Sequence, residues 1–239
     1  PRVTMYEALM QTVSRSPEVI AYDFFGTTST YRQFGTEIDR CADALAALGL
    51  KQGDRITISM PTCPQGIICF YAANKLGAVA SMIHPLSPAK EIAFYLNTAK
   101  SRFALTLDAF YGKFKEVQQQ TELRTLILCR IPDYLPLIKK IGFNLTKGRK
   151  IPPVPGDKLV SWWSDLMRGG YPKAPKADMG TDEMAVILYS GGTTGVPKGI
   201  MLSNYNFISE GMMVSAWGGM AGGDSILAIL PIFHGFGLG

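Results

Sequence analysis

Cysteine and histidine are scarce in this sequence, with four Cys and two His among 239 residues. Cys41, Cys63, Cys69 and Cys129 form no C-x-x-C pair, which argues against a structural zinc site and against a secreted disulfide framework. A reducing, cytoplasmic setting is the expectation. A long hydrophobic run is also lacking. The most apolar stretch, residues 66–86, is broken by Asn74, Lys75 and Pro85, so no membrane span is expected. The opening Pro1-Arg2-Val3-Thr4 has no charged-then-apolar leader pattern. The 25 Gly and 15 Pro form no low-complexity tract of the kind that makes a linker or fibre. What remains is a globular composition, 47% hydrophobic and 18% charged, enough for one large domain or two small ones.

Acidic residues are thin in one segment. Residues 138–176 hold nine Lys or Arg against two Asp, whereas the rest of the chain has 15 basic and 17 acidic residues. The net charge of +5 is therefore local. That segment also carries Pro152, Pro153, Pro155, Pro172 and Pro175, and residues 131–180 read as a basic, proline-rich excursion between two better patterned regions. It contains no recognisable nucleic-acid module, so no nucleic-acid partner is expected.

Thr4-Met5-Tyr6-Glu7 fits a capping box at a helix start, and Thr30 is placed to cap a second helix. That second helix carries Phe34, Ile38, Cys41, Leu45 and Leu48 on one side and ends at Gly49. Residues 19–24 and 27–30 read as two short strands around Gly26. From Arg55 the pattern alternates: strands at 55–60, 78–83, 102–107 and 125–129, with helices at 65–76, 89–99 and 109–119 between them. Strands apolar on both faces and separated by helices predict an α/β fold with a mostly parallel sheet flanked by helices. The series is expected to stop at Pro132 and to resume with a buried strand at 184–189.

Directly after that strand comes Ser190-Gly191-Gly192-Thr193-Thr194-Gly195-Val196-Pro197-Lys198-Gly199, with three hydroxyls, four glycines and one lysine in ten residues. Glycines let backbone N–H groups turn toward an anion, hydroxyls donate further hydrogen bonds, and lysine supplies a mobile charge, so the composition suits a polyphosphate. It is neither a Walker loop nor a G-x-G-x-x-G dinucleotide fingerprint, because Lys198 sits between Pro197 and Gly199. The segment resembles the signature loop of the adenylate-forming (AMP-binding) superfamily, which comprises acyl-CoA synthetases, adenylation domains of peptide synthetases, and luciferases. Leu230-Pro231-Ile232-Phe233-His234-Gly235-Phe236-Gly237 resembles a second motif of that family. Weaker matches at Thr30-Tyr31-Arg32-Gln33-Phe34, Gly53-Asp54-Arg55-Ile56 and Leu76-Gly77-Ala78-Val79 extend the likeness over nearly the whole chain.

The resemblance implies an acid–thiol ligase that uses ATP, Mg2+ and coenzyme A to activate a carboxylic acid as its acyl-adenylate, with the long-chain fatty acyl-CoA ligase branch nearest. Aryl-acid or amino-acid adenylation, or a non-catalytic module that binds phosphate or a membrane, are the alternatives. It assigns Ser190, Gly191, Gly192, Thr193, Thr194, Gly195, Pro197, Lys198 and Gly199 to the phosphates, Lys198 and His234 to catalysis, and Ser190 to the metal. Phe233, His234, Met212, Met213 and Trp217 are implied for the acyl pocket, with His234 as an aromatic gate; the Met-bearing stripe, on a helix beginning near Asn204, would equally be core. Members of the family run well beyond this length, so residues 1–239 are expected to form an incomplete N-terminal domain without the C-terminal domain. The second sheet would begin only at 225–230.

Two readings stay open. His84, before Pro85, reads as a satisfied core residue. Tyr134, Leu137, Ile138, Ile141 and Leu145 recur at helical spacing with Lys139 and Lys140 turned away. That stripe either packs on the sheet or, with Trp162-Trp163, makes a peripheral membrane contact through residues 134–163, at the inner face of the membrane.

Overall fold

The computed structural model describes residues 2–190 and 197–238. The first helix, α1 (Met5–Arg15), starts at the expected capping box: the Thr4 hydroxyl accepts from the Glu7 N–H and the Glu7 carboxylate accepts from the Thr4 N–H. β1 (Ile20–Phe24) and β2 (Thr27–Thr30) form a separate antiparallel pair. A second capping box at Thr30 opens α2 (Tyr31–Ala47), which is closed by Gly49 at φ +94°, a left-handed conformation that suits a residue without Cβ.

Then comes the alternating series: β3 (Arg55–Ser59), α3 (Pro64–Lys75), β4 (Val79–Met82), α4 (Ala89–Ala99), β5 (Phe103–Leu107), α5 (Tyr111–Val117) and β6 (Thr125–Cys129). After it follow α6 (Leu137–Leu145), β7 (Val160–Trp162), α7 (Trp163–Leu166), β8 (Met184–Ser190), β9 (Lys198–Ser203), α8 (Asn204–Trp217) and α9 (Gly235–Leu238). Seven strands make one sheet in the order β7-β6-β5-β3-β4-β8-β9, parallel except for the antiparallel β8–β9 pair.

Successive side chains of a strand face opposite sides, and the core divides accordingly. Ile127 and Cys129 of β6, with Ile56 and Ile58 of β3, join the cluster built on α1, α2 and α3. Leu126 and Leu128 of the same strand join the cluster built on α4 and α5. All four cysteines are buried without a disulfide, and burial pushes the Cys63 thiol up to about 11, so these are packing residues. A buried amide pair fixes three helices against one another: Asn204 Oδ1 accepts from the Met5 N–H at 3.0 Å and from Asn74 Nδ2 at 2.9 Å, while Asn74 Oδ1 accepts from the Tyr6 N–H. Two of the unpaired donors at the start of α1 are met in this way.

The structure departs from the sequence expectations in four places. The series does not stop at Pro132, because residues 160–162, inside the basic excursion, pair in parallel with β6. Three residues are too few to show a period. Lys198 and Gly199, read as the end of a loop, open β9, which pairs with β8 in the register Ser190–Lys198 and Tyr189–Gly199. Residues 225–230 form no strand, and Ile226, Leu227 and Ile229 stand exposed, since a strand without a neighbour leaves its ladder groups unpaired. The stripe of α6 does not pack on the sheet: Leu137, Ile138, Ile141 and Leu145 are all exposed.

Candidate functional site

In open parallel sheets a ligand sits beyond the carboxyl ends of the strands. Here that edge brings together Ser59, His84, Asp108, Arg130 and Ser190, which end or follow β3, β4, β5, β6 and β8. Ser59 Oγ is buried there without a hydrogen-bond partner among the described residues.

The phosphate-loop candidate is held by the β8–β9 hairpin. Ala185, Val186, Ile187 and Leu188 are buried, as expected, and they anchor the strand that delivers Ser190 to the edge. Lys198 lies opposite Ser190 in the ladder and is exposed, so one hydroxyl and one cation flank the loop's two ends. Gly199 follows where space is short: a Cβ there would meet Ile187 Cγ2 at 3.3 Å and Tyr189 Cε1 at 3.5 Å. The Tyr189 hydroxyl lies 3.1 Å from Ser81 Oγ, and its ring packs 4.4 Å from that of Tyr95, which fixes the base of the hairpin. Burial pushes the Tyr189 phenol up, so it stays neutral. Gly191, Gly192, Thr193, Thr194 and Gly195 lie outside the described residues, and Pro197 precedes β9.

Phe233 and His234 reach the same edge. The Phe233 ring lies 4.4 Å from the ring of His84. Each imidazole is oriented by a backbone donor: His84 Nδ1 accepts from the Leu86 N–H at 2.9 Å, and His234 Nδ1 from the Phe236 N–H at 3.3 Å. Both therefore carry their proton on Nε2 when neutral. His84 is exposed rather than a core residue, which corrects the sequence expectation. The last paired couple of β4 and β8 is Met82–Leu188, and two residues further along each strand come His84 and Ser190. The signal that could have found His84 was its place just past the carboxyl end of a predicted parallel strand.

The acyl-pocket residues are not all together. A cleft of about 220 Å³ is lined by Leu188 of β8, Leu202 of β9, Asn206, Phe207 and Glu210 of α8, and Gly235, beside His234. Met212 lines a different and larger groove of about 1020 Å³ between α1 and α8. Met213 and Trp217 line neither, and Trp217 is 91% exposed. The stripe on α8 is thus not core. At the β5–β6 end, an unforeseen charged group forms: Arg130 stands 4.0 Å from Asp108 and stacks 4.0 Å above Trp162, while burial pushes the Asp108 and Asp133 carboxyls up.

Among the described residues no group of three or more His, Cys, Asp or Glu is arranged to hold a metal ion, and Ser190 contributes a single hydroxyl. These residues do not hold Mg2+ by themselves.

A family model described as AMP-binding enzyme matches residues 9–239, and the chain belongs to that family. It is 30% identical over 245 residues to a long-chain-fatty-acid–CoA ligase of Bacillus subtilis, covering 100% of this chain and 43% of that protein. Among solved structures, a long-chain-fatty-acid–CoA ligase from Archaeoglobus fulgidus aligns with TM-score 0.79 at 20% identity, over 100% of this chain and 44% of that one. A benzoate–CoA ligase from Burkholderia xenovorans aligns with TM-score 0.78 at 19% identity, over 99% and 42%. At such identities the structural likeness shows the fold alone. The chain spans less than half the length of these relatives.

Proposed function

We propose that this chain supplies the phosphate-holding part of an AMP-forming acid–thiol ligase. A carboxylate oxygen of the substrate attacks the α-phosphorus of ATP, the bond to pyrophosphate breaks, and an acyl-adenylate forms. The thiol sulfur of coenzyme A then bonds to the acyl carbon as the bond to AMP breaks. The observation that carries this reading is the β8–β9 hairpin, in which Ser190 and Lys198 face each other at the two ends of the loop. Lys198, charged and exposed, stabilises negative charge gathering on the departing pyrophosphate; Ser190 and the loop's N–H groups donate to its oxygens. Ser190 would also add one oxygen to a magnesium ion arriving with the nucleotide.

His234, next to Gly235 of the small cleft, and Phe233, packed against His84, gate the acid. A fatty acid is the favoured substrate, because the 30% identity to a long-chain ligase runs over the entire chain. Peripheral contact with a membrane through residues 134–163, where such acids partition, is part of the same proposal.

The test is ATP–pyrophosphate exchange in a polypeptide extended to the length of the relatives. Lys198→Ala should raise the barrier to adenylate formation by about 2–4 kcal/mol, the loss typical of a transition-state electrostatic donor. Unchanged exchange would remove Lys198 from the reaction.

A further inference from the structure

Residues 230–237 are pinned along their backbone on either side of Phe233. Ile232 is buried at 2% exposure and seats in a notch on α3, where a Cβ on Gly66 would come within 2.7 Å of its Cδ1. The Thr62 hydroxyl donates to the Leu230 carbonyl at 3.2 Å, the His234 N–H to the Pro231 carbonyl at 3.0 Å, and the Gly237 N–H to the His234 carbonyl at 2.9 Å. With its backbone fixed, the half-buried Phe233 ring takes its direction from the side chains it meets. It rests on the rim of the core and against the His84 imidazole, 4.4 Å between ring centroids with the planes inclined at 59°.

That imidazole is itself held. Its Nδ1 accepts from the Leu86 N–H at 2.9 Å, and the Ser87 N–H closes the turn on the His84 carbonyl at 3.1 Å. Lys113 Nζ of α5 clasps the same turn, donating to the Leu86 and Ser87 carbonyls at 3.1 and 3.0 Å. His84 is exposed, yet its ring is presented in one orientation. We propose that His84 is a positioning residue for the acid, acting through Phe233, an inference that rests on the gate assigned above to Phe233 and His234. The nitrogen and the ring have separable parts in this: Nδ1 closes the 84–87 turn, and the ring holds the phenyl side chain in place beside His234, next to the cleft at Gly235.

The test is ATP–pyrophosphate exchange in the extended polypeptide, with decanoate and ATP varied in turn. His84→Asn keeps an acceptor for the Leu86 N–H and removes the ring; it should raise the KM for decanoate about three- to tenfold, the range of one aromatic pair, without moving the KM for ATP. His84→Phe keeps a ring without the acceptor and should recover most of that loss. Adding His84→Asn to Phe233→Leu should cost nothing further, because both remove the same contact; circular dichroism checks that each variant folds. The reverse order, with Asn harmless and Phe damaging, would make His84 a turn-closing residue and overturn the proposal, as would an equal rise in the KM for ATP or additive losses in the double variant. Exchange lost in Lys198→Ala with no KM change in His84→Asn would keep the ligase reading and overturn the positioning role. A parent polypeptide without decanoate-dependent exchange would overturn both.

Discussion

Ile56 and Ile58 of β3 are wholly buried under α2 and α3, whereas Ile226, Leu227 and Ile229 are 72%, 81% and 75% exposed. The two stretches have similar side chains, and what separates them is neighbours. β3 has β4 and β5 on either side and helices over the sheet, so every ladder group and every methyl finds a partner. Residues 225–230 meet no strand, and their main tie is the Thr62 hydroxyl donating to the Leu230 carbonyl at 3.2 Å. The sheet around β3 is paired and covered, whereas Ile200 and Met201 of β9 stand exposed like Ile226, Leu227 and Ile229. The relatives are more than twice as long as this chain.

The largest effect should be on turnover. The 239-residue chain alone should form no acyl-CoA from ATP, a fatty acid and coenzyme A, while a polypeptide extended to the relatives' length should do so; product assayed by mass spectrometry decides. Acyl-CoA made by the 239-residue chain would mean that these residues already hold the chemistry.

Stability sharpens the same contrast. Ile58→Ala removes a fully buried side chain and should cost about 2–5 kcal/mol in urea unfolding. Leu227→Ala, at 81% exposure, should fall within about 0.5 kcal/mol of the parent. Equal losses would show that residues 225–230 are packed in solution after all.

The smallest effect concerns acid. Lys115, the Leu159 N–H and the Tyr111 hydroxyl hold the Asp157 carboxyl down at about 2, from an ordinary 3.8. A depressed acid stabilises the fold above its unfolded value, and that contribution is lost as pH falls from about 4 to about 2. Glu37 has the opposite sign, since burial raises it despite hydroxyl donors from Tyr22 and Tyr134, so its share of stability falls as pH rises through its folded value. Thermal melts should show Asp157→Asn losing the acid-side slope and Glu37→Gln losing part of the decline above the ordinary carboxylate range. Identical pH curves for parent and both variants would contradict these assignments.

Most of the sheet was legible in advance because its signals are local. Alternating apolar strands and helices, two capping boxes and the closing Gly49 each lie within a few residues of one another, and the α/β layout follows from them. The family motifs at Ser190–Gly199 and Leu230–Gly237 were equally local, so the family could be named before any geometry. What could not be read depends on distant partners. His84 comes to the candidate site only because β4 lies beside β8, more than 100 residues later, and because Phe233 returns to within 4.4 Å of its ring. β7 is three residues long and exists by pairing with β6.

By itself the sequence determined the composition of the parallel core, the starts of the capped helices and the residue types between Ser190 and Lys198, because each is encoded by spacing and residue type. Only the tertiary structure decided that Ser190 and Lys198 face one another in a hairpin and that Met212 leaves the cleft beside His234. It also buried Trp163 while α6 turned its aliphatic face to solvent. The reason is physical: helical and strand periods say which side chains share a face, but which face is covered depends on what packs against it.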